Sequence, residues 1–578
     1  MENSKIAELF EEIADMLELD AKANRFEPLA YRKAALTIGT MQQDVAEIYA
    51  KEGIEGLTKL PGVGKTIAER IVEYLKTGKI QKYEELKKRF PIDFASLTKI
   101  QGMGAKKAYK LYKALGIRNL DDLKKAIEEH KIRGVEGFGE KSEEEIAKGI
   151  ALLEQSSGRM LLGTALPEAE ALRDKLLKSG LVERAAICGS TRRMRETVGD
   201  LDILVISKKA SEVMDFVTSL PEVDHIVVKG PTKTTVWLKI GLSCDFRVIE
   251  PESFGAAMQY FTGSKNHNIK VREIAIKKGY KLNEYGLFDK NNKNLVANKE
   301  EQEIYRLLGL DYVEPEMRED RGEIELAMEH KLPKLITLQD IQGDLHTHTN
   351  HTDGANTLEE MVQAAIKLGR KYIGNSDHSK SEHVAKGLDD AAYGKLFEEV
   401  DKLNEKYEGK IKILKSGEVD ILKDGSLDLK PSTLEKMDYV IGAVHTNTNM
   451  SKEELTKRIV KALNSGYVDI LAHPTGRLIN EREPMVFDLD TVFQAAADNK
   501  VVMEINAFPN RLDLNDENIL KARSYKLLFS IGTDSHRTSH LEFMRYGVGT
   551  ARRGWLTKDE VINTYPLDKL LKLFKSKR

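Results

Sequence analysis

The sequence predicts a multidomain α/β chain with a helical front, a middle built on a mixed or antiparallel sheet, and a β/α barrel at the back. Three observations predict it. At 578 residues the chain exceeds one ordinary core, since domains run to roughly 100–200 residues. Its hydrophobic period is helical up to about residue 155, becomes two from Ala185, and beyond Asp340 alternates short apolar strands with amphipathic helices. Nine of the 13 histidines fall between His346 and His540, so the back has its own chemistry. A content of 41% hydrophobic and 31% charged residues excludes collagen-like and disordered classes. No apolar run reaches the ~18 residues of a membrane span, and the first residues lack the layout of a secretory signal. A cytoplasmic protein without a membrane partner is expected. Two cysteines, Cys188 and Cys244, are too few for a disulfide framework or a thiolate zinc cluster. Any metal must be held by nitrogen and oxygen.

In the front, Ile6, Leu9, Phe10, Ile13, Met16 and Leu17 recur at helical spacing. The net charge of −2 hides a polarity. Residues 1–50 carry 5 basic and 10 acidic groups, whereas residues 51–118 carry 16 and 7, a local +9. Three similar segments lie in or beside this basic stretch: Gly62-Val63-Gly64-Lys65, Gly102-Met103-Gly104-Ala105-Lys106 and Gly137-Phe138-Gly139-Glu140. Their glycines permit a turn with positive φ and close approach of an anion. The amides opening the next helix can then face a phosphate without reading a base. The repeats resemble the helix-hairpin-helix motif of DNA repair proteins; the third, followed by glutamates, is expected to be structural.

In the middle, Gly189-Ser190 is followed by Arg193 and then Gly199-Asp200-Leu201-Asp202. Side chains alternate on a strand, so Asp200 and Asp202 project from one face. Paired carboxylates require a cation, and magnesium or manganese suits hard oxygen ligands and substrate phosphates. Asp245, a charge inside the apolar run Ser243–Val248, is the expected third member of a two-metal site.

This pattern resembles the nucleotidyltransferase signature, and its context resembles the family X DNA polymerases. Tyr260-Phe261-Thr262-Gly263-Ser264, Asn268 and Arg272 extend the likeness. The resemblance implies that Asp200, Asp202 and Asp245 are catalytic metal ligands. It implies that Ser190, Arg193 and Arg159 hold a triphosphate approached by the backbone at Gly189, Gly199 and Gly263, that Tyr260 and Phe261 flank the sugar, and that Asn268 and Arg272 contact the nascent pair in the minor groove. It implies DNA binding through Gly62, Gly64, Lys65, Gly102, Gly104 and Lys106. Arg70 stands at the family's Schiff-base lysine; a guanidinium forms no imine, so no lyase chemistry is implied there. By resemblance the order is a lyase-like helical domain (1–85), fingers-like hairpins (86–155), a palm (156–253), a thumb (254–318), a linker (319–338) and a metal-dependent domain (339–578); the acidic stretch Asp311–Glu325, with seven carboxylates, two arginines and no repeated apolar face, reads as a linker or a strapping extension.

In that last region, His346, His348, Asp353, His378, Glu418, His445, His473, Asp534 and His536 recur near the carboxyl ends of predicted strands, where barrels place their chemistry. Six imidazoles and three carboxylates exceed the needs of one four-coordinate ion. They suit three divalent ions, manganese, zinc or iron, sharing bridging carboxylates. The set resembles the polymerase and histidinol phosphatase (PHP) domain, a distorted β/α barrel with a trinuclear site. His351, His383 and His540 are expected at the surface or behind the ligands. Together the resemblances imply a monomeric enzyme that fills short gaps in DNA with dNTPs during base excision repair. They also imply a 3′-5′ exonuclease, with AP endonuclease and 3′-phosphatase as further activities. Two other readings are a non-templated nucleotidyltransferase fused to a small-molecule phosphatase and a DNA-binding scaffold with inactive sites.

Overall fold

The structure, a computed structural model, describes residues 2–20, 24, 26–39, 44–98, 100, 103–156, 159–289, 295–297 and 299–575. The chain divides into two compact units, the first holding residues 1–157 and the second nearly all of 158–578. In the first unit, helices such as Glu2–Leu19, Lys65–Thr77 and Ala105–Leu115 enclose Phe10, Ile13, Leu17, Ile38, Ile71, Phe94 and Leu111. The helical spacing of the apolar residues gives each helix one buried stripe. No helix among the described residues is long and apolar enough to cross a membrane.

The second unit opens with a five-stranded sheet in the order Arg184–Ile187, Asp200–Ile206, Ser243–Val248, Lys233–Leu238, Val223–Lys229. Only the pair Asp200–Ile206 and Ser243–Val248 runs parallel; the rest is antiparallel. The sequence returns to a helical pattern from about Phe254 to Leu308, and here the structure differs. Between the helices Lys265–Lys277 and Glu301–Leu307 lies a small antiparallel sheet of Tyr280–Asn283, Gly286–Asp289 and Leu295–Ala297. Its buried residues Leu282 and Leu287 face each other across a tight turn, an alternation too short to stand out beside two helices.

The acidic segment is a packed strap. Val313, Met317, Arg318, Glu323 and Ile324 are buried, and Glu323–Met328 is helical. Its carboxylates find partners distant in sequence: Glu316 binds Arg552 at 2.7 Å and Glu323 binds the buried His267 at 2.7 Å. Nothing near these residues in the chain announced those partners.

Beyond it the strands run parallel in two sheets, Gly343–Asp344 beside Tyr372–Asn375 beside Lys412–Lys415, and Glu418–Asp420 through Ile441–Ala443, Ile470–Leu471 and Val502–Asn506 to Phe529–Gly532. Lys412–Lys415 and Glu418–Asp420 are successive pieces of one strand position. The bridge His378 to Glu418 joins the sheets on one side and the bridge Thr347 to Ser535 on the other. Seven strand positions thus close into a distorted barrel filled by Leu345, Tyr372, Leu414, Tyr439, Ile441, Ile470 and Val502.

One buried ion network locks the strap to the helix Glu301–Leu307. Arg318 is fully buried and donates to Glu301 Oε1 at 2.5 Å and to the Val313 carbonyl at 2.8 Å. Arg192 grips both oxygens of Glu301 at 3.2 and 2.8 Å. Burial pushes the Glu301 carboxyl up, but Arg318 and Arg192 outweigh it and hold it at about 2. Glu301→Ala should therefore destabilise the second unit by about 3–5 kcal/mol at pH 7, read as a lower urea midpoint. The depressed pKa makes this contribution complete above the unfolded carboxyl value, ~4.3, and lost as the pH falls toward about 2. The gap between wild type and variant should accordingly narrow from pH 5 to pH 3.

Candidate functional site

Three strand carboxylates converge in the first sheet. Asp200 and Asp202 share a face of their strand, and Asp202 is the direct register partner of Asp245 on the parallel neighbour. Burial, then Asp200 and Asp245, push the Asp202 carboxyl up to about 7. Burial also pushes Asp245 up, but hydrogen bonds from Thr235 Oγ1 at 2.6 Å and Lys233 Nζ at 3.0 Å, with Arg247 Nη2 at 3.0 Å, bring it below the ordinary carboxylate value. These three partners were missed in the sequence. Thr235 sits opposite Asp245 in the antiparallel register, a position that only strand pairing assigns, whereas Arg247 lies two residues along the same strand, on the same face by alternation. Gly189 has φ +64°, and a Cβ there would lie 2.5 Å from Asp202 Oδ2; only glycine lets this turn approach the carboxylate. A crowded oxygen set in which burial and neighbouring carboxylates raise the pKa of one member fits magnesium or manganese.

Around this centre the expected phosphate-binding residues adopt defined positions. Arg159 donates to Thr197 Oγ1 at 2.9 Å and to the Thr197 carbonyl at 2.6 Å. Its Nη1 stands 3.2 Å from where a Cβ on Gly199 would lie. Arg193 donates to the Thr262 carbonyl at 2.6 Å and to Glu319 at 3.1 Å, beside Gly263 at φ +69°. Ser190 is half-buried on the short turn Gly189–Arg192. The Tyr260 and Phe261 rings meet edge to face at 5.0 Å, and Arg247 lies 4.5 Å over Phe261. Asn268 differs from the expectation of a minor-groove contact. It is 7% exposed, its carbonyl oxygen accepts from Gln259 and its amide donates to the Tyr260 carbonyl, both at 2.7 Å. Both ends of its amide are engaged inside the protein, holding the Tyr260 turn. Arg272 Nε donates to the Asn268 carbonyl at 3.2 Å.

At the carboxyl end of the barrel all nine expected ligands meet. Glu418 is central: one oxygen lies 3.4, 3.5 and 3.1 Å from His346, His348 and His378, the other 3.2 and 2.7 Å from His445 and His473. Asp353 faces His378 and His536 at 3.6 and 3.1 Å, and Asp534 faces His346 and His348 at 3.7 and 3.1 Å. Four candidate groups result among the described residues: His348-Asp353-His378-His536, His346-His348-Asp534 and His378-Glu418-His445 within the expected set, and Glu382-Asp420-His445 beside it. The buried atoms His346 Nε2, both nitrogens of His348 and His378 Nδ1 have no hydrogen-bond partner. Buried imidazole nitrogens aimed at shared carboxylates are what divalent ions satisfy. The backbone is left-handed at His473 (φ +25°) and Asp534 (φ +53°), strain that functional sites commonly hold.

Residues outside the expected set hold the ligands. Glu504 accepts from His346 Nδ1 and from the His473 backbone amide, both at 2.6 Å. Asp420 binds His445 Nδ1 at 2.9 Å, and Asn506 donates to Asp534 at 3.0 Å. Such partners turn the other ring nitrogen toward the metal. A glutamate within the fully buried strand Val502–Asn506 was the available signal. His351, His383 and His540 stand outside the cluster: His351 binds Glu399 at 3.0 Å, His383 is exposed, and His540 stacks on Phe543 at 4.7 Å.

In the first unit, Gly64 and Gly104 cap the helices Lys65–Thr77 and Ala105–Leu115 in extended conformation with no side-chain cap. The first glycine of each described hairpin makes the turn, Gly62 at φ +76° and Gly137 at φ +80°; Gly102 lies outside the described residues. A Cβ on Gly64, Gly104 or Gly139 would meet nothing within 4 Å, so the amides after them are open to an anion. Lys65 and Lys106 stand exposed in the first turns of the helices that follow. Arg70 pairs with Glu73 at 2.8 Å.

Comparison with known proteins gives four family matches: a helix-hairpin-helix domain over residues 1–80, a SAM-like helix-hairpin-helix tandem over 94–151, the DNA polymerase beta thumb over 257–319 and the PHP domain over 344–508. The chain is 37% identical over 569 residues to the DNA polymerase/3′-5′ exonuclease PolX of Bacillus subtilis, covering 98% of each chain. It is 25% identical over 342 residues to DNA polymerase lambda of Rattus norvegicus, covering 53% of this chain and 56% of the relative. A solved ternary complex of Leishmania infantum polymerase beta is 25% identical and covers 39% of this chain and 97% of its own, with a TM-score of 0.27.

Two outcomes follow from the geometry. Gly189→Ala should abolish chemistry at the three aspartates, because the methyl group would displace Asp202; single-turnover nucleotide incorporation checks it. Glu504→Gln should weaken metal retention at the barrel by about 10- to 100-fold, read by competition with a chelator and metal analysis, while leaving incorporation intact.

Proposed function

The chain belongs to the family X DNA polymerases that carry a carboxyl-terminal PHP domain, and on that premise we propose that it fills short gaps in DNA and trims 3′ ends at a second, separate site. The observation that carries the reading is the register of Asp202 against Asp245, which puts three carboxylates at one point on a sheet far in sequence from the nine-ligand cluster. Gapped or primer-template DNA and dNTPs are the substrates, and base excision repair is the setting.

At the first site, Asp200, Asp202 and Asp245 would hold magnesium or manganese, which lowers the pKa of a primer 3′-hydroxyl and offsets charge on the departing pyrophosphate. Asp245 orients toward that hydroxyl, held in place by Thr235, Lys233 and Arg247. Arg193, Ser190 and Arg159 bind the triphosphate, with backbone at Gly189, Gly199 and Gly263 beside it. Tyr260 and Phe261 flank the sugar, and Arg272 lies toward the nascent pair. The open amides of the first and second hairpins grip DNA phosphates without regard to sequence, with Lys65 and Lys106 adding charge.

At the second site the nine ligands would hold three divalent ions, manganese, zinc or iron, which supply Lewis acidity for phosphodiester hydrolysis. Glu418 presents both oxygens to the surrounding histidines, and Glu504, Asp420 and Asn506 fix the ligand orientations. The activity is a 3′-5′ exonuclease, with AP endonuclease and 3′-phosphatase as further reactions of the same centre. Arg70 does not serve as a lyase nucleophile. The protein acts as a cytoplasmic monomer. A complete ligand set whose buried imidazole nitrogens face carboxylates without forming hydrogen bonds weighs against an inactive scaffold.

On a gapped duplex with dNTPs and manganese, Asp245→Ala should eliminate extension and preserve 3′-end degradation, and His346→Ala should do the reverse. Loss of both activities in either variant would refute two independent centres.

A further inference from the structure

The segment Arg193–Glu196, which carries one of the proposed triphosphate ligands, is held from behind by the barrel domain. Arg553 Nη1 donates to the Arg193 carbonyl at 2.9 Å and to Glu319 Oε1 at 2.8 Å. The same Glu319 oxygen accepts from Arg193 Nε at 3.1 Å, and its other oxygen lies 3.5 Å from Arg195. Arg553 Nη2 is in turn held by Asp516 at 2.6 Å, which also binds Arg321 at 3.0 Å. One residue along, Met194 lies against Gly549, where a Cβ would stand 2.6 Å from the Met194 methyl. At the end of the segment, Arg477 grips both oxygens of Glu196 at 3.2 and 2.6 Å.

Glu319 thus lies among three guanidinium groups that would repel one another without it. Arg193 and Arg553 are 11% and 6% exposed at their side chains, so water screens that repulsion weakly. The bonds from Arg193 to Thr262 and Glu319 engage Nε and Nη1 and fix the plane of the guanidinium. The Nη2 edge remains to meet an anion. Fixing the plane in advance lowers the ordering cost when a phosphate binds.

We propose that Glu319 and Arg553 are positioning residues for nucleotide binding, so that the barrel domain is a structural part of the polymerase's triphosphate site as well as the seat of the second activity. This rests on Arg193 being a triphosphate ligand. Neither residue reaches the nine-ligand cluster, so polymerisation and degradation should respond differently to their loss.

The test is steady-state gap filling by the full chain, measured against dNTP concentration, with 3′-5′ degradation of single-stranded DNA and thermal melting recorded for each variant. Glu319→Gln and Arg553→Lys should each raise KM for dNTP by roughly five- to tenfold, with kcat within about twofold. The lysine retains the charge but lacks the planar fork that spans two acceptors. Glu319→Asp, which preserves the charge, should recover most of the effect, and degradation should match wild type in all three. An unchanged KM in Glu319→Gln, where Arg193→Ala raises it, would overturn the positioning role while leaving Arg193 as a ligand. An unchanged KM in Arg193→Ala would remove the ligand reading and the proposal together. A parallel fall in degradation rate and melting temperature would mean general damage and would also overturn it.

Discussion

Both candidate centres crowd metal-binding side chains at one point, most of them wholly or partly buried, and a buried charge is tolerated only where an opposite charge is built in. The nine barrel ligands surround shared carboxylates with imidazoles. The three sheet aspartates crowd until Asp202 holds its proton near neutrality. Their architecture is intelligible only with cations added, because protein groups alone leave buried imidazole nitrogens unpartnered. The same rule, answered by guanidinium groups, governs the joints of the second unit. Glu301, Glu319 and Asp516 each bind two or more arginines.

Residues 158–578 form one compact unit despite the change from antiparallel sheet to parallel barrel because Ile479, Leu512 and Tyr546 join the apolar core of the sheet and Trp555 joins that of the helices after it, while the ion networks fix the orientation of the parts. An apolar interface would stick without regard to orientation. Bidentate pairs such as Arg477 with Glu196 tolerate little rotation, since two bonds must keep their geometry at once. The acidic strap supplies Glu314, Glu316 and Glu319 to these joints and acts as mortar between sheet and barrel.

The strand register does the equivalent work inside each site. Asp200 and Asp202 were legible because a strand alternates its faces, and Asp245 because a charge sat in an apolar run. Thr235 and Lys233 were not legible, since ordinary polar residues gain meaning only when strand pairing brings them to Asp245; Arg247, two residues along the same strand, was open to the alternation argument and was overlooked. Glu504 is similar: its chemistry is visible, but its role depends on facing His346 across the barrel. Asn268 shows the opposite failure, where a residue matching a known pattern has its amide engaged by Gln259 and Tyr260.

By itself the sequence determined the order of helical front, sheet and barrel, the three aspartates, the nine barrel ligands and the glycine hairpins. Each rests on local periodicity, local spacing or the chemistry of a residue type, which a linear string preserves. Tertiary structure alone decided that the acidic segment is a strap, that a small sheet interrupts the expected helices, and that the barrel grips the segment carrying Arg193. These depend on pairings between residues up to several hundred positions apart, and charge complementarity at such distance leaves no periodic trace in the chain.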